Sequence, residues 1–316
     1  GWHPEIISPR GASEKVLVVG AGPAGLEAAM SLGNRGYEVA LADKAEGGGR
    51  AVREATLPGL ASYKRVSDYR LGQIGRSSHV SFFPGSEMDE HSVREFGADQ
   101  VLIATGAHWR ADGLGRATFA PVPGIDSHPQ CLTPDDIMAG RLPDAGPVLI
   151  YDDDHYYLGG VIAQMLADRG LLVTLVTPGP EVSCWTSNTM EQHRIEQALL
   201  ERNVTLVAKH TMASVDSNCV TFTCNSTGGV LEHQAQALVM VTLRAPENSL
   251  YFALAGTQQE HLDDLPFGLL RIGDCMAPAT IAAAVYDGHR AARELDNPPD
   301  PDVVPFKRER PLIDIP

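Results

Sequence analysis

Short apolar runs alternate with longer amphipathic stretches along most of this chain. The runs are four to six residues long and rich in β-branched side chains: Lys15 to Val19, Tyr37 to Ala42, Val101 to Ala104, Pro147 to Tyr151, Leu172 to Val176, Val204 to Val207, Ala237 to Val241 and Leu269 to Ile272. Continuous runs of this length predict strands buried on both faces, as in a parallel sheet. Between them the spacing turns helical. Helices are expected from Leu26 to Leu32, Ala61 to Gln73, Gly159 to Gly170, Met190 to Arg202 and Thr280 to Leu295. In the third, Val161, Ile162, Met165 and Leu166 share a face. One more strand is expected near Ser217 to Cys224. Strand–helix–strand alternation predicts an α/β chain.

The first strand runs into Gly20-Ala21-Gly22-Pro23-Ala24-Gly25, a G-x-G-x-x-G turn at a helix start. The second strand ends on Asp43, about 20 residues further on. This order holds the ADP half of a dinucleotide. Gly20 allows the sharp turn, Gly22 lets backbone approach a pyrophosphate, and Gly25 lets helix and strand pack closely. The helix N-terminus offers amides and a positive dipole end to the phosphates. Asp43 can accept from a ribose, with Lys44 beside it. Glu46-Gly47-Gly48-Gly49-Arg50 can let a cofactor pass close to backbone, at Gly49 and Arg50. Thr105-Gly106 and Gly273-Asp274 close two further strands and are candidate contacts for the middle of an extended cofactor; Asp274 also reads as a helix cap.

A second strand–helix unit starts at Pro147. The fold class is therefore two Rossmann-like nucleotide-binding domains of the FAD/NAD(P)-reductase type, one inserted in the other. Residues 15–145 plus 243–296 form the host and 146–242 the insert, with 1–14 as a linker and 297–316 as a Pro-rich, charged tail. The insert lacks glycines after its first strand. It reads Tyr151-Asp152-Asp153-Asp154-His155-Tyr156-Tyr157 instead. Three acids stand where a pyrophosphate would lie, and like charges repel by about 1–4 kcal/mol per pair at an intermediate dielectric. No NAD(P)H binding is expected there. A cation is a minor alternative, and a turn capping the next helix is the plainer reading.

Composition narrows the classes. A net charge of −15 argues against nucleic acid or an anionic membrane as partner, and no 18-residue apolar run exists. The cysteines Cys131, Cys184, Cys219, Cys224 and Cys275 contain no C-x-x-C and are expected to be reduced thiols of a cytoplasmic protein without a metal. No signal peptide is read, and the start at Gly1-Trp2-His3-Pro4 reads as a processed or truncated piece. No catalytic residue is assigned; His108, His155 and His289 are read as packing or surface residues.

Several segments together resemble the C-terminal portion of the iron–sulfur flavoprotein amine dehydrogenases, the family of trimethylamine, dimethylamine and histamine dehydrogenases. They are Gly1-Trp-His-Pro-Glu, the Gly20–Gly25 loop, Ala104-Thr-Gly-Ala-His-Trp, Tyr151-Asp-Asp-Asp-His-Tyr-Tyr-Leu-Gly-Gly and Gly273-Asp274. The resemblance implies a longer parent. Its N-terminal (β/α)₈ barrel, absent here, would hold FMN and the substrate, with a neighbouring [4Fe-4S] cluster. It also implies ADP at the first site, with FAD the open alternative. Partners would be the barrel, an electron-transferring flavoprotein and a second copy of the parent. The competing readings are a self-contained FAD-dependent NAD(P)H oxidoreductase and a non-enzymatic nucleotide-binding module.

Overall fold

The computed structural model describes residues 7–256 and 265–296. The expected tail at 297–316 and the first six residues of the expected linker lie outside them.

The chain is α/β, with parallel sheets. The first sheet contains β1 (Lys15–Val19), β2 (Glu38–Ala42), β3 (Val80–Phe83), β4 (Gln100–Ile103) and β15 (Gly268–Arg271). Its order is β15-β4-β1-β2-β3, all parallel. β1 lies at its centre, and Val16, Leu17 and Val18 are almost fully buried. The second sheet runs β6-β13-β7-β8-β9, from β6 (Cys131–Leu132), β7 (Val148–Asp152), β8 (Val173–Val176), β9 (Thr205–Val207) and β13 (Ala237–Val241). β15 returns to the first sheet only after the second is complete, so the second unit sits inside the first. β6 already pairs with β13, so the second sheet draws on chain ahead of residue 146.

The parallel strands β3 and β6 were not foreseen, and neither were two antiparallel features. β10 (His210–Asp216), β11 (Cys219–Cys224) and β12 (Val230–Gln234) form an antiparallel sheet, of which only β11 was expected. The antiparallel pair β5 (Ala107–Trp109) and β14 (Arg244–Pro246) forms a ribbon where the chain leaves and re-enters the first unit.

Helix α1 (Pro23–Arg35) starts with Pro at its first turn and stops at Gly36, which is left-handed at φ 91°. It packs against α9 (Ile281–Glu294), whose N-cap Thr280 accepts from the Ala283 amide at 3.2 Å. The helices meet closely because Gly288 has no Cβ; one added there would fall 2.2 Å from the Ala24 carbonyl oxygen. Glu27 of α1 is held by Arg70 of α3 (Lys64–Ile74) at 2.6 Å and by His289 at 3.0 Å. In the second unit, α6 (Leu158–Asp168) buries Ile162, Ala163 and Leu166 against the sheet. That core also takes Leu57, Leu60 and Trp109 from the first unit's chain, so the units share apolar contacts. Among the described residues no helix is long and apolar enough to cross a membrane, and all five cysteines are free thiols.

Candidate functional site: a phosphate cradle and a plugged cleft

The Gly20–Gly25 loop sits at the C-terminal end of β1. Gly20 has φ 104°, and a Cβ there would lie 2.4 Å from the Ala104 carbonyl oxygen. A Cβ on Gly25 would lie 1.8 Å from the Gly20 carbonyl oxygen. Gly22 differs: a Cβ on it would meet nothing within 4 Å. The loop is thus locked on two glycines and open on the third. Gly22 is the N-cap of α1 and supplies no side-chain cap. The Ala24 and Gly25 amides belong to the first turn, where helices leave donors without intrahelical acceptors. The arrangement is an anion cradle of backbone amides at a helix start.

Asp43 follows β2 immediately. Its Oδ2 accepts from the Ala21 amide at 2.6 Å and its Oδ1 from the Ala45 amide at 2.7 Å. The carboxylate braces the glycine loop, and each oxygen retains a lone pair for a ribose hydroxyl. Lys44 beside it is exposed. The glycine run folds back onto the cradle: the Gly48 amide donates to the Ala21 carbonyl at 2.7 Å. A Cβ on Gly49 would fall 2.9 Å from Gly22 Cα. The sequence reading let a cofactor pass close to this run and foresaw no helix in it, whereas Gly49 opens a short helix, α2 (Gly49–Glu54).

Arg50 and Asp274 meet at 3.2 Å. Arg244 joins the same Asp274 Oδ2 at 2.7 Å, and Asp274 Oδ1 accepts from the Ala279 amide at 2.9 Å. Asp274 therefore does not cap α9; Thr280 does. Arg50 also binds the buried carboxylate of Glu54. Burial opposes its charge, but Glu54, Tyr157 and Asp274 outweigh that and hold the guanidinium more firmly protonated than usual. Arg244 is pushed the other way, by burial first and then by Arg50. The Thr105 hydroxyl donates to the Glu247 carbonyl, so that side chain is committed away from the cleft. Gly106, at φ 84°, has open space around it.

The corresponding cleft of the second unit is filled by the chain itself. Asp152 and Asp153 are fully buried at the end of β7. The Ala117 amide donates to Asp153 Oδ2 at 2.9 Å. Gly115 is so near that a Cβ would lie 2.0 Å from that same oxygen. His155 Nε2 stands 3.1 Å from Asp153 Oδ1. Asp152 Oδ1 accepts from the Asp154 and His155 amides, each at 3.1 Å, so it closes the turn rather than capping α6. The N-cap of α6 is Tyr157, with no side-chain cap. The Tyr157 hydroxyl instead donates to Glu54 of the first unit, and its ring stacks edge-on against Tyr63 and Tyr156.

Among the described residues no group of His, Cys, Asp or Glu side chains could hold a metal ion. His155 and His289 pair with acids inside the fold, and His108 lies on the surface 3.8 Å from Glu247. Sequence reasoning missed Arg244, Glu54 and the Gly115–Ala117 plug. Their proximity exists only after folding.

Paired dinucleotide folds, one nested in the other, define a class of flavin- and nicotinamide-type oxidoreductases. The pyridine nucleotide-disulphide oxidoreductase family matches residues 14–136, and the OYE-like second alpha/beta domain matches 132–235. Thioredoxin reductase from T. acidophilum shares the fold, with a TM-score of 0.59 at 19% identity. More specifically, the chain is homologous to the amine dehydrogenases. Dimethylamine dehydrogenase from Hyphomicrobium sp. (strain x) is 32% identical over 98% of the chain and 45% of that protein. Histamine dehydrogenase from Rhizobium sp. 4-9 superposes with a TM-score of 0.91 at 43% identity, over 98% of this chain and 48% of that one. The 6-hydroxypseudooxynicotine amine oxidase from Pseudomonas geniculata N1 gives 0.87 at 42% identity, over 92% and 43%. The chain thus spans a little under half the length of these relatives, which are oxidoreductases.

Proposed function

We propose that this chain is the ADP-binding part of an amine-oxidising dehydrogenase or N-demethylase. The observation that carries the reading is the cradle at Gly22, an uncapped helix start with open space before it and Asp43 at its rim. Gly20, Gly22, Pro23, Ala24 and Gly25 would hold the pyrophosphate by backbone. Asp43 would hold the ribose, with Lys44 alongside. Gly49, Thr105 and Gly106 would border the nucleotide by backbone. The bound nucleotide supplies no redox chemistry; it fixes the fold around it. Oxidation of a small amine, through FMN and a [4Fe-4S] cluster, would take place on a barrel domain beyond this chain, with electrons passing to an electron-transferring flavoprotein. The parent would be a cytoplasmic homodimer.

The filled second cleft counts against a self-contained NAD(P)H oxidoreductase. A nicotinamide dinucleotide would have to displace Gly115–Ala117 and bring its phosphates to buried Asp152 and Asp153. The reading is tested by extracting and identifying the nucleotide that copurifies with the chain, then by calorimetry. Asp43→Ala should weaken ADP binding by about tenfold or more, from lost hydrogen bonds to a charged group. Unchanged affinity would refute the ribose assignment.

A further inference from the structure

The first site has an end as well as an entrance. The Cβ test at Gly49 puts the backbone before Arg50 against Gly22. The same test at Gly273 puts a Cβ 2.5 Å from Ala24 Cβ, so the backbone before Asp274 lies against the first turn of α1. Arg50 and Asp274 thus reach toward each other from both sides of the helix start and close at 3.2 Å. Arg244 reinforces the closure from the ribbon. Its Nη1 meets Asp274 at 2.7 Å, and its Nη2 and Arg50 Nη1 donate to the same Ala279 carbonyl at 2.7 and 2.5 Å. Trp109 backs Arg244 with its ring 5.4 Å away, and Glu54 with Tyr157 back Arg50. Both arginines occupy Asp274 Oδ2 and the Ala279 amide donates to Oδ1, so the carboxylate is fixed in place as part of this closure.

We infer that Arg50, Asp274 and Arg244 form a clamp that ends the first site after the second phosphate and selects a nucleoside diphosphate with a free terminal phosphate over a dinucleotide. The inference rests on the nucleotide reading of this cleft. Its chemistry is charge and shape together. A terminal phosphate carries an ionisable oxygen that the bridging phosphate of a dinucleotide lacks, and guanidinium groups match it through paired donors. Among the described residues, Arg50 Nη2 has no hydrogen-bond acceptor, which leaves a donor for that oxygen. A dinucleotide must continue past the second phosphate, where the Arg–Asp–Arg bridge stands. Discrimination thus comes from an attractive group and an obstruction at one place. A mononucleoside monophosphate stops one phosphate short of the clamp and gains nothing from it.

Calorimetric titration of the dialysed 316-residue chain with ADP, AMP and FAD tests this. The wild-type chain should bind ADP at least about tenfold more tightly than either AMP or FAD, the size expected for one added charge-assisted contact. Arg50→Gln and Arg244→Gln should each bring the ADP-to-AMP ratio toward one and raise FAD affinity relative to ADP. Thermal melts establish which variants are folded, and each leaves Asp274 one arginine partner. Equal wild-type affinity for FAD and ADP overturns the clamp whatever the variants do. So does an unchanged ADP-to-AMP ratio in a folded variant. A wild-type chain that binds none of the three overturns the nucleotide reading beneath it, a different outcome from binding without discrimination.

Discussion

Asp152 makes this fold less stable as the medium becomes less acidic, and Asp152→Asn should remove that dependence. The carboxyl is fully buried at the end of β7. Burial raises its pKa first, and the charge of Asp154 adds to it, so it titrates at about 7 rather than 3.8. The native chain therefore keeps a proton that the unfolded chain has lost. Where the native state binds more protons, stability falls as pH rises. The loss runs from about pH 4 to about pH 7 and is complete above that. A rise of roughly three units, at about 1.4 kcal/mol each, amounts to about 4 kcal/mol. Between pH 5 and pH 8 the part still to be lost is about 2–3 kcal/mol. Asn keeps the oxygen that accepts from the Asp154 and His155 amides. Its NH₂ replaces Oδ2, which has no hydrogen-bond partner among the described residues and sits where a Cβ on Gly159 would lie only 2.5 Å away. Placing that amide without a partner costs about 1–3 kcal/mol, but the cost is the same at every pH. The measurement is therefore the pH dependence of the difference between the two chains. Urea unfolding at half-unit steps from pH 5 to pH 8, followed by tryptophan fluorescence, should show the variant gaining on the wild type by about 2–3 kcal/mol. Parallel curves would refute a protonated Asp152.

Three further outcomes follow from the same geometry. Gly25→Ala places a Cβ 1.8 Å from the Gly20 carbonyl oxygen; strain of this kind costs about 3 kcal/mol, measurable as a lowered urea midpoint, and ADP binding should fall with it. Tyr157→Phe removes the hydroxyl that donates to buried Glu54; leaving that acceptor unmet should lower stability by about 1–3 kcal/mol, and an unchanged midpoint would show that the inter-unit bond contributes nothing. Asp296 is held near pKa 2 despite some burial, through Arg35, Tyr37 and the Gly11 amide; its contribution is present above about pH 4 and is lost as pH falls toward 2, so Asp296→Asn should flatten the acid limb of a pH–stability curve.

Most of the parallel strands were legible because their signal is local; β3 and the two-residue β6 were not. Val16–Val19 and Ala237–Val241 are continuous apolar runs, and such runs have few alternatives once Gly and Asp close them. The antiparallel sheet was not legible in full. β12 alternates exposed and half-buried positions over Val230–Gln234, and β10 opens on His-Thr-Met, so neither stands out from loop by hydropathy. The ribbon strands β5 and β14 are three residues each, too short for any periodicity. The Gly run at 47–49 was legible as unusual but not as a helix start, because α2 depends on Gly48 and Gly49 packing against the cradle and not on propensity.

The same distinction separates the two clefts. In the first, the parts proposed to hold phosphate lie within six residues, so the motif could be read from the chain. In the second, the acids were legible as an obstacle, yet their neighbours come from elsewhere: Ala117 lies 36 residues from Asp153, and Glu54 lies 103 residues from Tyr157. Those contacts make the second cleft a support for the first. α2 begins at Gly49, against the phosphate cradle, and ends at Glu54, held by the loop that fills the second cleft. Arg50 lies between, bound to Glu54 on one side and Asp274 on the other. A loop that had to open for a dinucleotide could not also hold Glu54, so the filled second cleft helps α2 keep Arg50 fixed against Asp274.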